Sequence, residues 1–539
     1  MGEIKNSKLQ TRLPLFISLG VAAGILIGAT LAEPGSGRES VSKGVAKIRE
    51  VLGYVDASYV DEVDSEKLVE AAITEMLKEL DPHTVYIPAE KQEMAAAELQ
   101  GSFEGIGIEF DIFKDTLYVV SPLSGGPSEK AGIQTGDKII LVNGEEISGE
   151  SLDYSAVHKY LRGPKGSEVK ISIKRKNEKN LLEFTLIRDK IPQHSVDVHY
   201  MLDQEVGYIK VSRFSATTYA EFKSSLDDLI SKGMKKLILD LQGNPGGYMN
   251  EAIKMADELL SGNKMIVYTK GRQTRYNSEA RAERTGVFES GPVIVLIDEG
   301  SASASEIVSG ALQDNDRALI VGRRSFGKGL VQMPVSLSDG SELRLTISRY
   351  YTPSGRSIQK PISAEYDSDY ATRYEHGEFF HADSIKFADS LKFETTSGRI
   401  VYAGGGIMPD HFIALDTANS TNYLNQLVRS NILREYTVTY YEKNQKRIDK
   451  MGMDDFIANF EVTEAMHNEI VQLATKEGIT LNKKELVQSL PLLNIYTKAF
   501  IARTAWSNAG FYPIFNQTNE ALQAAIGLFD EAENLAKAN

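Results

Sequence analysis

The sequence predicts an α/β protein of several domains, and three observations lead to this fold class. The chain has 539 residues, which is too long for one hydrophobic core, so three or four domains are expected. Strand and helix patterns alternate between about residues 191 and 410, which is typical of an α/β core. Short alternating strands fill the preceding stretch, and helical patterns flank both regions. The predicted regions are 1–38, 39–100, 101–190, 191–417 and 418–539.

The N-terminus carries a membrane-targeting pattern. Lys5, Lys8 and Arg12 precede an uncharged apolar run, Leu13–Ala32, which is about long enough to cross a bilayer. Thr30–Ala32 is only a fair match to a cleavage site, so an uncleaved signal anchor is favoured over a signal peptide. Positively charged residues that flank such a run stay on the cytoplasmic side of the membrane. The rest of the chain is therefore expected in the cell envelope, on the periplasmic face of the cytoplasmic membrane or secreted to the periplasm.

Composition excludes several kinds of site. The formal net charge of −14 argues against nucleic acid as a main partner, because phosphate binding needs a concentrated basic surface. The chain has no cysteine, which excludes a thiol nucleophile, a thiolate metal site, a disulfide and a lipid-modified cysteine.

The regions at 39–100 and 418–539 are predicted to be helical and contain no motif with chemistry. In the first, apolar residues recur at helical spacing from Ile48 to Leu80, and Asp81-Pro82-His83 ends the second helix. In the second, Thr518 is a plausible helix start for an amphipathic tail that extends to Ala536. For the second region packing is the default expectation, with dimerisation and docking of a regulatory partner also open, and the first region is compatible with a simple helical cap.

A serine-rich turn follows a predicted strand, Pro292–Asp298. A serine placed where a buried strand turns into a helix exposes its oxygen, and the free N–H groups of the first helical turn can stabilise an oxyanion. Spacing alone does not choose among Ser301, Ser303 and Ser305, and an ordinary serine-rich N-cap is the alternative.

A second segment, Phe326–Gln332, supplies a lysine in an uncharged stretch. Together with Leu239–Gly247 upstream and Tyr351–Arg356 downstream, the serine and lysine segments resemble the C-terminal processing (tail-specific) serine peptidases. The resemblance spans roughly Val51 to Asp410, and the serine and lysine motifs are highly specific as a pair.

This resemblance implies a Ser-Lys dyad. Ser303 would be the nucleophile, Lys328 the base, and Gln332, one helical turn beyond the lysine, would orient the amine. The oxyanion would be held by the backbone N–H of Ala304 and by one from Gly246 or Gly247. No metal or cofactor is expected. The resemblance also implies a crotonase-like or ClpP-like spiral of βα units with an inserted PDZ-like domain. One departure is Gln242, where relatives commonly carry arginine.

A lysine base must be neutral near pH 7. An ordinary lysine titrates near pH 10.4, so the pKa of Lys328 must be about three lower, equivalent to about 4 kcal/mol. Burial can achieve this, and the sequence suggests that nearby Arg323 and Arg324 add a repulsive positive charge.

The strands of the region at 101–190 resemble a PDZ domain. The supporting segments are Phe103–Ile108, Pro127–Ile133 and Gly136–Gly144. Backbone N–H groups of the Gly105-Ile106-Gly107-Ile108 loop would bind a terminal carboxylate, after which the peptide adds a strand to a sheet edge. Arg162 occupies a position that in some relatives couples PDZ occupancy to the protease, although a solvated turn arginine is equally compatible with the residues.

The predicted function is therefore a serine endopeptidase that selects protein or peptide substrates by their free C-terminal tails and processes or degrades envelope proteins. The alternatives are a catalytically inert PDZ adaptor or chaperone and acyl transfer on a thioester. A histidine-assisted triad is disfavoured, since only His83, His194 and His199 precede the serine motif in plausible core-bordering segments. Metal catalysis is disfavoured because clustered ligand spacing is absent from the sequence. Homo-oligomerisation is left open.

Overall fold

The architecture comes from a computed structural model. The structure describes residues 36–538 except 114, 124, 148, 150, 151, 177, 364, 365, 367 and 387. The predicted anchor, Leu13–Ala32, therefore lies outside the described residues. None of the helices within them is long and apolar enough to cross a membrane. The chain forms two compact units, one that extends to Glu79 and one from Leu80 onward.

The first unit contains two described helices, α1 (Ser36–Ser58) and α2 (Ser65–Lys78). Asp64 caps α2, because its carboxylate accepts a hydrogen bond from the N–H of Lys67 at 3.1 Å. The stabilisation of a free helix N-terminus by such a cap explains why this helix begins at Ser65.

The second unit opens with strand β1 (Val85–Ile87) and helix α3 (Ala89–Gln100). In the next region, the first and last strands pair with each other as a two-stranded antiparallel ribbon. This ribbon is separate from the main sheet of the region. The elements of this region are β2 (Ser102–Gly105), β3 (Ile108–Phe113), β4 (Thr116–Pro122), α4 (Pro127–Ala131), β5 (Lys138–Val142), β6 (Glu145–Glu146), α5 (Tyr154–Leu161), β7 (Glu168–Lys174), β8 (Leu182–Ile187) and β9 (Asp189–Pro192). Because the chain enters and leaves through the paired strands β2 and β9, the region is an insertion in the larger fold.

The inserted sheet has the strand order β3-β4-β5-β7-β8, with β6 paired to β5. Its core contains Leu117, Val119, Ile139, Val169 and Ile173, all at most 1% exposed. Strand β3 lies at one edge of this sheet, which is where an added peptide strand would pair.

The α/β core follows the insertion. Its elements are β10 (Val196–Met201), β11 (Val206–Val211), α6 (Thr218–Ser231), β12 (Lys236–Asp240), α7 (Met249–Asp257), β13 (Met265–Gly271), β14 (Ser278–Arg281), β15 (Val293–Ile297), α8 (Ala304–Asp314), β16 (Ala318–Gly322), β17 (Leu330–Ser336), β18 (Glu342–Tyr351), α9 (Asp369–Glu375), β19 (Lys392–Glu394), β20 (Ile400–Tyr402) and β21 (His411–Phe412). The central sheet has the order β10-β11-β12-β15-β16-β21 and is parallel except for β10. The predicted strand Pro292–Asp298 corresponds to β15, which is one residue shorter at each end.

A second, antiparallel sheet has the order β1-β18-β13-β14, and β17 also pairs with β18. The long strand β18 therefore joins β17, which begins within the lysine segment, to β1, which precedes the inserted domain. This sheet is absent from the sequence-based prediction, because its strands come from segments far apart in the chain.

The C-terminal region is helical, as predicted. Its helices are α10 (Asn422–Arg429), α11 (Ile432–Met451), α12 (Met453–Asn459), α13 (Glu464–Lys476), α14 (Lys483–Phe515), α15 (Glu520–Ile526) and α16 (Phe529–Ala538). Helix α14 is kinked at Trp506 and Ser507, whose φ/ψ angles are not helical. The predicted tail helix begins at Glu520 rather than Thr518, because Asn519 is the residue that accepts a capping hydrogen bond, from the N–H of Leu522.

Apolar residues cover the central sheet on both faces. Helices α6, α7 and α8 pack on one face, where Phe222, Met255 and Leu312 are fully buried. On the other face, Leu522 of α15 and Phe529 at the start of α16 pack in a cluster with Ile238, Leu296 and Val321 of the strands. The sequence-distant tail thus completes the core of the α/β domain.

Candidate active site

The three serines of the serine-rich turn differ in what their hydroxyl groups contact. Ser301 and Ser305 are fully buried, and their Oγ atoms donate to the carbonyl oxygens of Leu241 and Asn244 at 2.8 and 2.9 Å. Ser303 is only half-buried, and its Oγ donates a hydrogen bond to no residue that the structure describes. The contacts therefore leave Ser303 as the hydroxyl that a substrate can reach.

The backbone of Ser303 is strained. Its φ is 54° and its ψ −108°, immediately before α8, and a non-glycine residue at positive φ is costly. The turn from β15 into α8 imposes this conformation. It holds the side chain at the helix N-terminus, where the N–H of Ala304 donates to no described residue.

The Asn244–Gly247 loop approaches this turn closely. Asn244 O accepts a hydrogen bond from Ala302 N at 2.9 Å, and a Cβ on Gly246 would lie 2.8 Å from Ser303 Cβ. The N–H of Gly246 is occupied, since it donates to Asn244 Oδ1 at 2.9 Å. The N–H of Gly247 donates to no described residue. Of the two glycines, Gly247 is therefore the one with a free donor.

Glu306 joins the serine turn to the lysine loop. The side chain is fully buried, and Oε2 accepts from the backbone N–H groups of Ser303 and Lys328 at 2.8 and 2.9 Å. Oε1 accepts from Ser325 Oγ and Gly327 N at 2.5 and 2.7 Å. Burial raises the pKa of this carboxyl, and the four donors oppose the rise.

Tyr350 of β18 forms a second link between the two loops. Its hydroxyl lies 3.1 Å from Ser303 O and 2.7 Å from Lys328 O, so it can donate to either carbonyl. Sequence reasoning assigned no role to Glu306 or Tyr350. The position of Glu306, three residues after a serine N-cap, is the one available signal, because it is the spacing of a capping box.

Lys328 is half-buried in the loop between β16 and β17. Burial lowers the pKa of its amine, and the positive charge of Arg344 lowers it further, whereas Glu306 and Asp81 raise it. The prediction that Arg323 and Arg324 supply the positive charge is wrong. They pair with Glu299 and Glu378 at 2.7 and 2.6 Å, and these carboxylates compensate their charges.

Gln332 does not lie one helical turn beyond Lys328, as predicted, because residues 330–336 form strand β17. A strand rises about 3.3 Å per residue, so positions four apart do not lie side by side as they do in a helix. The Gln332 amide donates to Thr346 Oγ1 at 3.2 Å. Among the described residues, no hydrogen bond joins it to Lys328.

The three histidines considered from sequence contact other groups. His83 Nε2 lies 2.6 Å from the Tyr366 hydroxyl, and His199 lies between Ser225 and Asp228. His194 lies 3.6 Å from Glu221. No hydrogen bond joins a described histidine to Ser303. The part of the chain that the structure describes also holds no cluster of three or more metal-ligating side chains.

The predicted peptide-binding loop lies between β2 and β3. Ile106 and Ile108 are buried, and Gly107 has a φ of 73°, which favours glycine. Gly105 pairs with Asp189 in the two-stranded ribbon that β2 and β9 form. The loop is therefore held at the start of edge strand β3.

Aromatic rings of β3 and α5 lie in contact with each other. Phe110 of β3 lies 5.7 Å from the ring centroids of both Tyr154 and His158 on α5. Arg162, at the end of α5, stacks over the ring of Phe103 at 4.8 Å. The arginine is half-buried against the strand that leads into the loop, rather than solvated on a turn.

Comparisons with known proteins show which family the chain belongs to. Family models match at residues 205–368 (peptidase family S41), 105–186 (PDZ domain), 28–91 (activating protease CtpB N-terminal domain) and 423–507 (a family of unknown function). The carboxy-terminal-processing protease of Bartonella bacilliformis is 38% identical over 62% of this chain and 79% of that protein. The chain belongs to peptidase family S41. It is a C-terminal processing serine protease with a PDZ insertion, N-terminal helices and a C-terminal helical region.

Other relatives of this S41 protease have comparable similarity. The carboxy-terminal processing protease CtpB of Bacillus subtilis is 34% identical over 72% of this chain and 81% of that protein. Among solved structures, the photosystem II D1 C-terminal processing protease is 29% identical over 57% of this chain and 88% of that chain, with a TM-score of 0.33.

Proposed function

We propose that this protease cleaves peptide bonds with Ser303 as nucleophile and Lys328 as general base. The neutral amine removes the Ser303 proton as Oγ attacks the peptide carbonyl, and the proton then passes to the leaving amine. Water hydrolyses the acyl-enzyme in the second half of the reaction. The N–H groups of Ala304 and Gly247 stabilise the oxyanion, and loss of one such donor typically costs about 10²–10³ in rate.

One observation carries this assignment. Of the three candidate serines, Ser303 has the accessible hydroxyl, and its backbone is tied to that of the desolvated Lys328 by one buried carboxylate, Glu306. A serine and a lysine held together in this way need no metal for peptide hydrolysis.

The PDZ domain binds the C-terminal tails of substrates. We infer that Gly105, Ile106, Gly107 and Ile108 receive the terminal carboxylate and that the tail adds a strand to β3. Arg162, stacked on Phe103 beside this loop, is the proposed link between tail binding and the peptidase. Extended apolar tails suit the aromatic side chains at Phe110 and Tyr154.

We also propose that the protease acts in the cell envelope. Support comes from the basic residues and apolar run at the N-terminus, which suit a single anchor with the peptidase on the periplasmic side. Fractionation of cells that express the full chain or a chain without residues 1–38 tests this proposal. Recovery of both proteins in the cytosol would overturn it.

The parallel sheet with helices α6, α7 and α8 on one face supports the finer assignment of the core as a crotonase-like or ClpP-like spiral. Processing of defined substrates and broader degradation are both compatible with this site. The competing function is an inert PDZ adaptor, which would bind tails without cleaving them.

The test compares the ectodomain from residue 39 with its Ser303→Ala and Lys328→Ala variants. Each is incubated with an unstructured protein that ends in a free apolar carboxylate and with the same chain amidated at its end. A Lys386→Ala variant, which removes an exposed lysine, is the matched control. We expect cleavage by the parent and the control, fastest on the free end, and none by the other two.

Tail binding without cleavage by any of the four proteins would instead support the adaptor. Cleavage that persists in Ser303→Ala would show that another group is the nucleophile. Equal cleavage of the free and amidated chains would remove the basis for tail recognition.

A further inference from the structure

Asp81 lies in a tight turn just before β1, outside the segment that matches the peptidase family model. It is 8% exposed. Its Oδ1 accepts from the backbone N–H groups of His83 and Thr84 at 2.8 and 2.9 Å, and its Oδ2 accepts from Thr84 Oγ1 at 2.7 Å. These local hydrogen bonds hold the carboxylate in a single orientation.

Pairing between strands brings this turn to the active site. Strand β1 pairs with β18 so that Val85 lies opposite Arg344, two residues before Thr346. The Thr346 N–H donates to Thr84 Oγ1 at 3.2 Å, and the Thr346 hydroxyl lies 3.2 Å from Asp81 Oδ1. The same hydroxyl lies 3.2 Å from the amide nitrogen of Gln332.

The direction of these hydrogen bonds follows from donor and acceptor chemistry. An ionised carboxylate only accepts hydrogen bonds, so Thr346 must give its single hydroxyl proton to Asp81. Thr346 can then only accept from Gln332, which uses its NH₂ group. The Gln332 carbonyl oxygen is thereby left as an acceptor, and no described residue donates to it. An acceptor is what a lysine amine needs from a neighbour that orients it.

We propose that Asp81 is a positioning residue of the protease, which sets the orientation of the Gln332 amide through Thr346 and so presents the Gln332 carbonyl oxygen to Lys328. The proposal rests on Lys328 acting as the base. Asp81 acts through other side chains and does not itself touch the substrate. The segment between the N-terminal helices and the PDZ domain therefore contributes to catalysis.

Asp81 also contributes charge. The charged groups that act on Lys328 are Glu306 and Asp81, which favour the protonated amine, and Arg344, which disfavours it, in addition to burial. Removal of the Asp81 charge therefore lowers the pKa of Lys328, whereas removal of the Thr346 hydroxyl leaves the charge unchanged. The two substitutions are expected to slow the reaction alike but to differ in their pH dependence.

The experiment measures kcat and KM against pH for the ectodomain and for Asp81→Asn and Thr346→Val. The conservative control is Glu90→Gln, an exposed carboxylate on α3. We expect kcat to fall about tenfold in both test variants with KM little changed, as for the loss of one orienting hydrogen bond. The acid limb of the profile should move to lower pH in Asp81→Asn, because the loss of the carboxylate lowers the pKa of Lys328, and it should stay in place in Thr346→Val and the control.

His83 lies beside Asp81, so His83→Gln is measured in the same series to identify any part of the acid limb that belongs to the imidazole. Thermal unfolding of each variant separates a loss of folding from a loss of orientation. If Asp81→Asn leaves both kcat and the midpoint of the acid limb of the pH profile unchanged, this inference is overturned. Full activity of Lys328→Ala would instead overturn the proposed function on which it rests.

Discussion

At Lys328, the burial that suits the side chain to act as a base also destabilises the folded protein. Its side chain is half-buried, and burial is the largest cause of its lowered pKa. A buried amine without a carboxylate in direct contact is unfavourable when protonated. The same desolvation that makes the residue a candidate base therefore weakens the folded state at neutral pH.

Replacement of this amine by an apolar side chain should consequently stabilise the protein. Because the unfolded chain binds the Lys328 proton more tightly than the folded one, stability rises with pH from the lowered folded pKa up to about 10.4. We expect Lys328→Met to have a higher Tm than the parent at pH 7 and the difference to shrink as the pH approaches 10. Thermal unfolding from pH 6 to 10 measures this, with Lys386→Met as the exposed control.

A lower Tm for Lys328→Met than for the parent across the whole pH range would contradict this expectation. It would mean that the lysine side chain makes a net stabilising contribution at this position.

At the scale of elements, the C-terminal helices contact the edge strand of the PDZ domain. Arg434 of α11 lies 2.9 Å from Asp111 Oδ2, and Arg503 of α14 lies 3.0 Å from Glu109 Oε1. The Tyr154 hydroxyl donates to Asp111 Oδ1 at 2.6 Å, and burial together with this carboxylate raises the pKa of Tyr154 to about 12. Helix α5, strand β3 and the C-terminal helices thus converge on one buried carboxylate.

This contact should appear as coupling between Arg434 and Asp111. Because the Asp111 side chain is only 3% exposed, the loss of either partner leaves the other without its ion pair, and the two effects do not add. We expect Arg434→Gln and Asp111→Asn each to lower hydrogen-exchange protection of the β3 amides. The double variant should lower it little more than Asp111→Asn alone.

Lys446→Gln is the matched control, since it removes an exposed positive charge from the same helix. Fully additive effects of Arg434→Gln and Asp111→Asn would show that the ion pair does not hold the helices to the strand.

At the scale of the whole molecule, the chain terminus completes the α/β core. Helices α15 and α16 cover the face of the central sheet opposite α8, and Leu522 is fully buried there. Asn519, which caps α15, also donates to Gln242 Oε1 at 2.7 Å. Gln242 stands where the family resemblance implies an arginine, and here it anchors the loop before Gly246 and Gly247 to the tail.

Truncation of one tail side chain should therefore destabilise the peptidase core. We expect Leu522→Ala to lower the free energy of unfolding of this domain by about 2–4 kcal/mol, as for other buried leucines. Ile526→Ala, on the same helix but 41% exposed, should change it by less than about 0.5 kcal/mol. Urea denaturation measures both, and equal effects of the two substitutions would argue against tail packing on the sheet.

The sequence by itself determined the family, the α/β class and the strand before the serine-rich turn, because these depend on local motifs and on apolar runs within one segment. Tertiary structure decided which serine is accessible, since the hydroxyl groups of Ser301 and Ser305 donate hydrogen bonds to backbone carbonyl oxygens of a distant loop. It also placed Gln332 on a strand and brought Asp81 and Tyr350 to the site through pairing along β18. The physical reason is that a hydrogen bond between segments far apart in the chain leaves no periodicity in the sequence of either one.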